Sequence, residues 1–368
     1  MQYAIEKLDV KPIGIERWHQ IVDSELREFG GIIYSSSGST QVSRSIIYTD
    51  NVIAGAVRRT EELICLLPIP QNSKIAILWG YGLFPPAHFY SLAFSKMGHL
   101  VYPVGSGRNL PIEIATENIR HMCPGVLIGM PSYLLKLGLL MENKGFLESI
   151  LPSLSCIISG GEILTDALRS KLECVFKTSV FDSYGMLQAP MIAGECIHKR
   201  MHVSKEYEAE ILADNLITPF GYGELLLSSK YAWAPLEMKR LNTEDIVALS
   251  NETCPCGYNS PTIRILGRSS RKRKIRGQMV DINELIHNLD MNGFEGDYYI
   301  ELIRDPTDRL IFHIAECSDS SKLREIIQKS ISFNFNIQKH INFSPPLTET
   351  GKIRQLIEKR CERSCDYN

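Results

Sequence analysis

The sequence predicts an α/β protein with a large domain built on a largely parallel sheet and a smaller α+β domain at its C-terminal end. Short apolar, β-branched runs alternate with amphipathic segments through the first two thirds of the chain, which is typical of parallel strands covered by helices. After about residue 205 the runs indicate antiparallel strands with polar turns. From residue 267 onward a new alternation begins, and it is long enough to fold by itself.

Each element follows from its local pattern. The strands predicted for the first region are short and rich in Ile, Val and Leu, and they lie at 31–34, 74–79, 99–104, 125–130, 154–159 and 179–185. Amphipathic stretches predict the helices between them, at 50–67, 86–97, 111–121, 133–143 and 165–176. Antiparallel strands are predicted at 208–213, 222–229 and 244–250, and the C-terminal unit is predicted to hold helices at 280–289 and 321–335 and a hairpin of 298–305 and 309–316.

The composition excludes several classes of partner. The chain has 368 residues with 44% hydrophobic content, and its 40 Lys and Arg against 42 Asp and Glu give a net charge of −2. This balance provides no field that attracts nucleic acid or an acidic membrane, so we expect neither as a partner. No apolar run reaches the roughly 20 residues of a membrane span, and the charged N-terminus is unlike a signal peptide. We therefore expect a cytoplasmic protein, in which most of the ten cysteines are reduced.

A hydroxyl-rich segment follows the first predicted strand. Ser36, Ser37, Gly38, Ser39 and Thr40 offer hydroxyl groups and backbone N–H groups at the expected carboxyl edge of the parallel sheet, where ligands of such sheets bind. The segment suits a polyphosphate, but a solvated surface turn has the same composition. It has neither the spacing nor the lysine of a Walker loop.

The order of the remaining motifs is more specific. They are "WGYGLF" at 79–84, "GMPSYLLKL" at 129–137, "SGGEIL" at 159–164, "DSYGMLQAP" at 182–190, "GYGELLLSS" at 221–229, "RLNTED" at 240–245, "CPCG" at 254–257, "ILGRSSRKRKIRG" at 265–277 and "TGKIRQ" at 350–355. Over roughly residues 30 to 360, this series resembles the adenylate-forming (acyl-CoA synthetase and luciferase-like) superfamily, and within it the phenylacetate-CoA ligase branch. The N-terminus looks short for that branch and is similar to that of trimmed relatives in phenazine antibiotic biosynthesis.

The resemblance implies a large multi-sheet domain, residues 1–266, that binds ATP and the acyl group, and a small mobile α+β lid, residues 267–368. It also implies that an aromatic carboxylic acid reacts with ATP to give an acyl-adenylate, whose acyl group passes to coenzyme A. By resemblance, Ser36–Thr40 hold the phosphates, and Lys352 bridges the attacking carboxylate and the α-phosphate. The other implied nucleotide contacts are Gly160, Gly161 and Glu162 along the adenine, Tyr184 and Gly185 at the purine, Asp245 at the ribose, and Arg268 near the ribose and phosphates, with Ser270 as the hinge.

An aromatic acyl pocket is expected from two of the motifs. Tyr81, Phe84 and Tyr133 carry flat faces suited to an aromatic acid, although core packing explains each of them equally well.

Two segments depart from the family pattern. The loop lacks the usual glycine and lysine, so we expect Arg44 to supply the positive charge. Gln188 replaces the glutamate that helps to bind Mg²⁺ in relatives, and an amide is a poorer ligand for this ion than a carboxylate.

Four potential metal ligands lie in two separate segments. Cys196 and His202 belong to "ECIHKRMH", and Cys254 and Cys256 belong to "CPCG". Four such ligands predict a closed structural zinc site, whereas the tight Cys-x-Cys spacing and the frequency of buried reduced cysteines favour no metal. Both interpretations stay open from the sequence.

A second hypothesis comes from another functional class. The loss of the glutamate and of the loop lysine favours a nucleotide- or acyl-adenylate-binding protein without full ligase activity. Retention of Asp245, Arg268 and Lys352 favours the enzyme. A carrier-protein thiol in place of coenzyme A is a further alternative, and the resemblance leaves a homodimer open.

Overall fold

A computed structural model describes residues 31–35, 45–107, 110–213, 215–229, 238–268, 272–276, 278–292, 294, 298–303, 308–341, 343 and 356–359. The chain divides into two compact units. The larger unit comprises residues up to 164 and 168–265, and the smaller comprises 165–167 and 266–368. In the part of the chain that is described, no helix combines the length and the hydrophobicity that a bilayer crossing requires.

A twelve-stranded sheet forms the centre of the larger unit. Its parallel half has the order β7-β6-β5-β3-β4, with β3 at Lys74–Ile77, β4 at Leu100–Pro103, β5 at Val126–Gly129, β6 at Cys156–Gly160 and β7 at Val180–Tyr184. The sheet continues from β7 through β8 at Ala193–Glu195, β9 at Met201–Val203, β14 at Thr262–Arg268, β13 at Leu241–Ser250, β12 at Gly221–Ser229, β10 at Tyr207–Ala213 and β11 at Leu216–Thr218. This arrangement confirms the predicted α/β class.

Helices cover both faces of the parallel strands. Ile75 and Ile77 of β3 pack in the core layer of α1 (Asp50–Ile64) and α2 (Pro86–Lys96). Ala76 and Leu78 point to the opposite layer, formed by α3 (Ile112–Met122), α4 (Pro131–Asn143), α5 (Leu147–Ile150) and α6 (Asp166–Phe176). Because successive side chains of a strand point to opposite faces, burial on both sides requires the continuous apolar runs seen in the sequence.

The first predicted strand does not belong to the parallel sheet. β1 (Ile32–Ser35) pairs antiparallel with β2 (Ser45–Tyr48) in a separate two-stranded sheet, and Ser35 faces Ser45 at the end of the register. The expectation that the strand before the hydroxyl-rich segment belongs to the parallel sheet is therefore wrong, and the segment itself lies outside the described residues. β2 is short and is followed almost directly by α1, so the sequence pattern did not indicate a second strand there.

The sheet of the larger unit curls strongly. The Tyr184 hydroxyl on β7 donates a hydrogen bond to Asp245 on β13 at 2.5 Å, although β8, β9 and β14 lie between these strands. In a flat sheet the two backbones would be about 19 Å apart, which exceeds the reach of the two side chains. Curling therefore brings the end of the parallel half against the antiparallel half.

The smaller unit is an α+β module with its own core. It contains a hairpin of β15 (Lys272–Ile275) and β16 (Gln278–Asp281), and a four-stranded sheet in the order β19 (Asn336–His340), β18 (Arg309–Ala315), β17 (Tyr298–Ile303) and β20 (Leu356–Lys359). Its helices are α7 (Ile282–Met291) and α8 (Ser320–Gln328), which pack on one another and on the apolar residues of β17 and β18.

One predicted helix of this module is too long. α8 begins after the Asp319 cap, whose carboxylate accepts from the N–H groups of Ser321 and Lys322, and it ends at Gln328. The apolar residues Ile331 and Phe335, which suggested a continued helix, reach the core from irregular backbone. The chain then enters β19, which pairs parallel with β18.

Candidate active site

The turns that follow the parallel strands meet along one edge of the sheet. β4 and β5 lie on opposite sides of β3, so the connections that leave β3 and β5 lead in opposite directions across the sheet. Such switch points form crevices at the carboxyl ends of strands. The segments that follow the strands at this edge are 78–84 after β3, 104–107 after β4, 130–133 after β5, 161–162 after β6 and 185–191 after β7. Four of the motifs singled out in the sequence therefore share this edge.

The turn after β6 is held by close packing and one carboxylate. A Cβ at Gly160 would lie 2.6 Å from the Ser183 hydroxyl, so only glycine fits there, and Gly161 has a φ of +77°, which glycine adopts without strain. Glu162 Oε2 accepts from the backbone N–H of Ser132 at 3.1 Å, which satisfies a free donor in the first turn of α4. Its Oε1 is buried with no hydrogen-bond partner among the described residues, so it can accept from a ligand.

Tyr184 and Asp245 form the most direct contact between predicted site residues. The hydroxyl of Tyr184 donates to Asp245 Oδ2, and Asp245 is only 5% exposed. The register between β12 and β13 shifts beside Asp245, and the neighbouring Glu244 has a φ of +59°. A β-bulge of this kind redirects side chains, which explains how Asp245 turns toward β7.

Aromatic side chains surround the segment after β3. The Tyr81 hydroxyl shares a 2.6 Å hydrogen bond with Ser91, and its ring meets the edge of His88 with centroids 5.3 Å apart. Tyr34 of β1 lies 5.7 Å from the same imidazole, and the N–H of Ser35 donates to the carbonyl of Leu83 at 2.9 Å. Burial lowers the pKa of His88, so this ring is neutral at pH 7.

Two further aromatic residues were predicted for an acyl pocket. Tyr133 lies in the first turn of α4, and it packs against Gly107 after β4, where an added Cβ would lie 3.0 Å from the ring. The Tyr133 hydroxyl is buried without a partner among the described residues, and burial raises its pKa. Phe84 is half-buried at the end of the segment after β3.

Gln188 lies in a closed loop after β7. The N–H of Met186 donates to the carbonyl of Ala189 at 3.0 Å, and the reverse bond is 3.1 Å, so residues 186–189 form a tight turn. The N–H of Ile192 closes the loop on the Tyr184 carbonyl at 2.8 Å. Gln188 and Tyr184 are thereby held on one short loop.

A buried acidic pair lies behind this edge. Asp182 of β7 accepts from the Ser159 hydroxyl at 2.8 Å, and its N–H donates to Glu195 at 2.8 Å. Arg169 binds both oxygens of Glu195, at 2.9 and 2.6 Å. Burial, with Glu195 as the next cause, raises the pKa of Asp182 to about 7, so its carboxyl group holds a proton in neutral solution far more readily than an ordinary aspartic acid.

The four predicted metal ligands come together in the larger unit. The ligand atoms of Cys196, His202, Cys254 and Cys256 lie within 4.8 Å of one another. Cys196 Sγ is 3.7 Å from Cys254 Sγ, and Cys256 Sγ is 3.3 Å from His202 Nε2. His202 Nδ1 lies 3.4 Å from the Ser260 carbonyl, which orients Nε2 toward the thiols.

Several predicted residues are not part of this described arrangement. Ser36, Ser37, Gly38, Ser39, Thr40, Arg44, Ser270 and Lys352 lie outside the described residues, and their roles stay predictions. Arg268 is exposed at the end of β14 and belongs to the smaller unit. Sequence reasoning missed His88 and Asp182, although His88 follows "WGYGLF" by only a few residues and Asp182 belongs to "DSYG".

Comparisons with known proteins agree with the fold. No protein-family model matches the chain. It is 26% identical over 353 residues to a phenylacetate-coenzyme A ligase of Pseudomonas putida, covering 89% of this chain and 76% of that protein. It is 27% identical over 261 residues to a phenylacetate-coenzyme A ligase of Escherichia coli strain K12, covering 69% of this chain and 58% of that one.

Solved structures give the same result. A 2-hydroxyisobutyryl-CoA ligase in the postadenylation state, in complex with R3-HIB-AMP, matches with a TM-score of 0.75 at 15% identity, covering 90% of this chain and 74% of that one. The anthranilate CoA ligase AuaEII, in complex with anthranoyl-AMP, matches with a TM-score of 0.65 at 18% identity, covering 87% and 65%. At these identities the likeness establishes the fold.

The chain shares its fold with these adenylate-forming CoA ligases. In sequence, the relatives to which it is similar are phenylacetate-coenzyme A ligases.

We predict that Asp182→Asn changes how stability depends on pH. The folded protein holds this proton up to about pH 7, whereas the unfolded chain releases it near 3.8. The wild-type free energy of unfolding therefore falls as the pH rises through this window, because the unfolded state binds fewer protons. Asparagine never ionises, so we expect the stability of the variant relative to wild type to rise by about 2–3 kcal/mol between pH 5 and pH 8.

Urea unfolding at pH 5 and pH 8 measures this effect. The stability of the variant relative to wild type should be lower at pH 5 than at pH 8, and the exposed control Glu208→Gln should show no such pH dependence. Equal differences at both pH values would contradict the raised pKa of Asp182.

Proposed function

We propose that the protein activates an aromatic carboxylic acid with ATP and transfers the acyl group to the thiol of coenzyme A. The proposal depends above all on the contact between Tyr184 and Asp245 at the sheet edge, beside the turn that holds Glu162. The curated relatives support it, since both are phenylacetate-coenzyme A ligases. The structural relatives, which include ligases in complex with acyl-AMP molecules, support the same chemistry.

The nucleotide would lie across the ends of β6 and β7. Tyr184 is half-buried and held at its hydroxyl by Asp245, so the face of its ring suits stacking with a purine. The Asp245 carboxylate has a second oxygen, which suits the ribose hydroxyls as donors. Glu162 Oε1, buried without a partner among the described residues, would gain a donor from the same ligand.

The proposed reaction has two steps. First, an oxygen of the substrate carboxylate attacks the α-phosphorus of ATP, and pyrophosphate leaves with the bond electrons. Then the thiolate of coenzyme A attacks the acyl carbon, and AMP leaves. Since both partners of the first step are anions, cations must neutralise the phosphates. Lys352, Arg44 and Arg268 are the residues proposed for this task, with Ser36–Thr40 as donors to the phosphates.

The acid would bind near the ends of β3 and β5. Tyr34, Tyr81 and His88 form a connected aromatic cluster there, and Tyr133 follows β5. Aromatic faces favour a flat ring, and a neutral imidazole can donate to a carboxylate or to a ring substituent. This lining supports an aromatic acid as substrate.

In the proposed reaction, the protein itself binds Mg²⁺ only weakly. The Gln188 side chain offers one neutral oxygen where a carboxylate would suit a hard dication better. Mg²⁺ would therefore depend mainly on the nucleotide phosphates and water, and it would neutralise charge as pyrophosphate leaves.

The proposed function also includes the transfer of the acyl group to the thiol and a biological setting. Residues 267–368 would act as a lid that pivots at Ser270 and admits the thiol. A role in phenazine antibiotic biosynthesis, a cytoplasmic location and a homodimer belong to the same proposal and follow from the resemblance.

A structural zinc ion fits the Cys/His cluster. Two thiolates bound at about 2.3 Å to a tetrahedral zinc lie about 3.8 Å apart, close to the 3.7 Å between Cys196 and Cys254. Cys256 and His202 would supply the other two ligands. Such a closed site leaves no open position for catalysis and would tie residues 196–202 to residues 254–256.

Two features of the sequence favour a second function. Gln188 and the missing loop lysine suit a protein that binds a nucleotide or an acyl-adenylate without completing the ligase reaction. Loading of a carrier protein is the other alternative for the acceptor.

Product formation separates these hypotheses. Wild type incubated with ATP, Mg²⁺, hydroxylamine and a panel of aromatic acids should release pyrophosphate and form a hydroxamate with at least one acid. Lys352→Ala should reduce both products by about 100-fold or more, because charge stabilisation in the first step is lost. Lys329→Ala, at the exposed residue that follows α8, is the matched control. ATP binding without pyrophosphate release with any acid would favour the binding protein.

Gln188→Glu tests the magnesium argument. A carboxylate at this position should lower the Mg²⁺ concentration at half-maximal rate by about tenfold, since it is a stronger ligand for the ion. Gln71→Glu, which adds the same charge at an exposed position, should leave this concentration unchanged. An unchanged or slower Gln188→Glu enzyme would count against a ligand role for position 188.

Metal analysis tests the zinc site. The purified protein should carry about one zinc per chain, and Cys254→Ser should lose it and unfold at a temperature lower by about 5 °C. Cys174→Ser, at an exposed cysteine on α6, should retain the metal and the melting temperature. Wild type that is free of zinc after expression in zinc-supplemented medium would rule out this site.

A further inference from the structure

A fully buried guanidinium lies beneath the loop that carries Gln188. Arg59 of α1 is 0% exposed, and its Nη1 binds Glu206 Oε2 at 2.6 Å. Its guanidinium carbon lies 5.0 Å from the centre of the Tyr207 ring. Burial of an arginine is costly and rare, so this residue calls for an explanation beyond packing.

Arg59 also binds the backbone of the loop. Its Nε donates to the Pro190 carbonyl at 3.1 Å, and the Tyr207 hydroxyl donates to the same oxygen at 3.1 Å. A third bond runs from the Tyr48 hydroxyl to the Leu187 carbonyl. Three side chains from α1, β2 and β10 thus hold two carbonyls of residues 187–190.

The peptide that Arg59 holds leads into a strained residue. The Pro190 carbonyl belongs to the peptide group that joins Pro190 to Met191, and Met191 has a φ of +52°. A side chain that is not glycine adopts this conformation at a cost and keeps it only where the surroundings impose it. Among the described residues other than glycine with positive φ, Met191 is the buried one, at 7% exposure.

The conformation of Met191 sets the position of the loop. A Cβ at Gly185 would lie 2.8 Å from the Met191 nitrogen, so the loop folds back on its own start. The Ile192 N–H bond to the Tyr184 carbonyl closes it. A change at Met191 would therefore move the turn of residues 186–189 relative to Tyr184.

We propose that Arg59 is a positioning residue for adenylation, which holds the peptide between Pro190 and Met191 and thereby places Gln188 beside the nucleotide-stacking Tyr184. The inference rests on the proposed function, because it assigns the nucleotide to this edge. The sequence of α1 accommodates the role. Gly55 lies one turn before Arg59, and a Cβ there would approach Arg59 Nη1 to 3.2 Å.

A purely structural ion pair would explain the same burial. Glu206 is 15% exposed and also binds the exposed Arg58 at 3.1 Å. Two substitutions separate the explanations. In Arg59→Lys the ammonium still reaches Glu206, but as a point charge it cannot also donate from the Nε position to Pro190. Glu206→Gln weakens the ion pair and leaves the donor to Pro190 in place.

The first experiment needs no nucleotide. Hydrogen exchange of the Ile192 amide should be faster in Arg59→Lys than in Glu206→Gln, with Arg58→Lys as a control that shares the same acidic partner. Equal exchange in the two variants would overturn the inference and leave the proposed function intact.

The second experiment measures MgATP binding by calorimetry. Arg59→Lys should bind MgATP about tenfold more weakly than wild type, because Gln188 would no longer be held in its place beside Tyr184. Glu206→Gln should stay within about twofold, and the KM for the acid should not change in either variant. If each variant lost MgATP affinity only in proportion to its loss of melting temperature, the positioning role would be overturned. Wild type that binds no MgATP would overturn the proposed function, and with it the link between Arg59 and adenylation.

Discussion

The hydrogen bond between Tyr184 and Asp245 is the contact on which the described site depends. It joins the last parallel strand to an antiparallel strand four places away in the sheet order. The bond requires the sheet to curl, and the curl in turn brings a flat aromatic face and a buried carboxylate to one place. A nucleoside needs a planar ring on which its base can stack and an acceptor for its two ribose hydroxyls. The fold therefore brings together, in this pair, the two groups that the proposed chemistry requires.

The edge is supported by buried and half-buried polar groups from below. Arg59 holds the loop after β7, and Glu62, one turn further along α1, accepts from the Ser204 hydroxyl at 2.5 Å and from the N–H of Lys205 at 3.1 Å. Asp182 and Glu195 fix the strand that ends in Tyr184. Each of these groups is costly to bury without a partner. Their concentration behind one edge is typical of a site whose backbone must be held in place.

The parallel strands were predictable because burial on both faces demands continuous apolar runs. The Cys/His cluster was predictable as a set, because its four side chains stand in two short segments, 196–202 and 254–256, and are of the types that bind metals. Contacts between distant segments were not predictable. Arg59 binds Pro190 across 131 residues, and the bulge that turns Asp245 toward Tyr184 depends on the register with β12. Likewise, the pairing of β1 with β2 depends on a connection whose length the apolar pattern does not reveal.

A double-mutant cycle on Tyr184 and Asp245 tests the central claim most directly. MgATP dissociation constants would be measured for wild type, Tyr184→Phe, Asp245→Asn and the double variant. If the two side chains act as one unit on the nucleotide, the effects are not additive, with a coupling of about 1 kcal/mol or more. Additive effects, or affinities equal to that of wild type in all variants, would contradict a nucleotide site built on this pair.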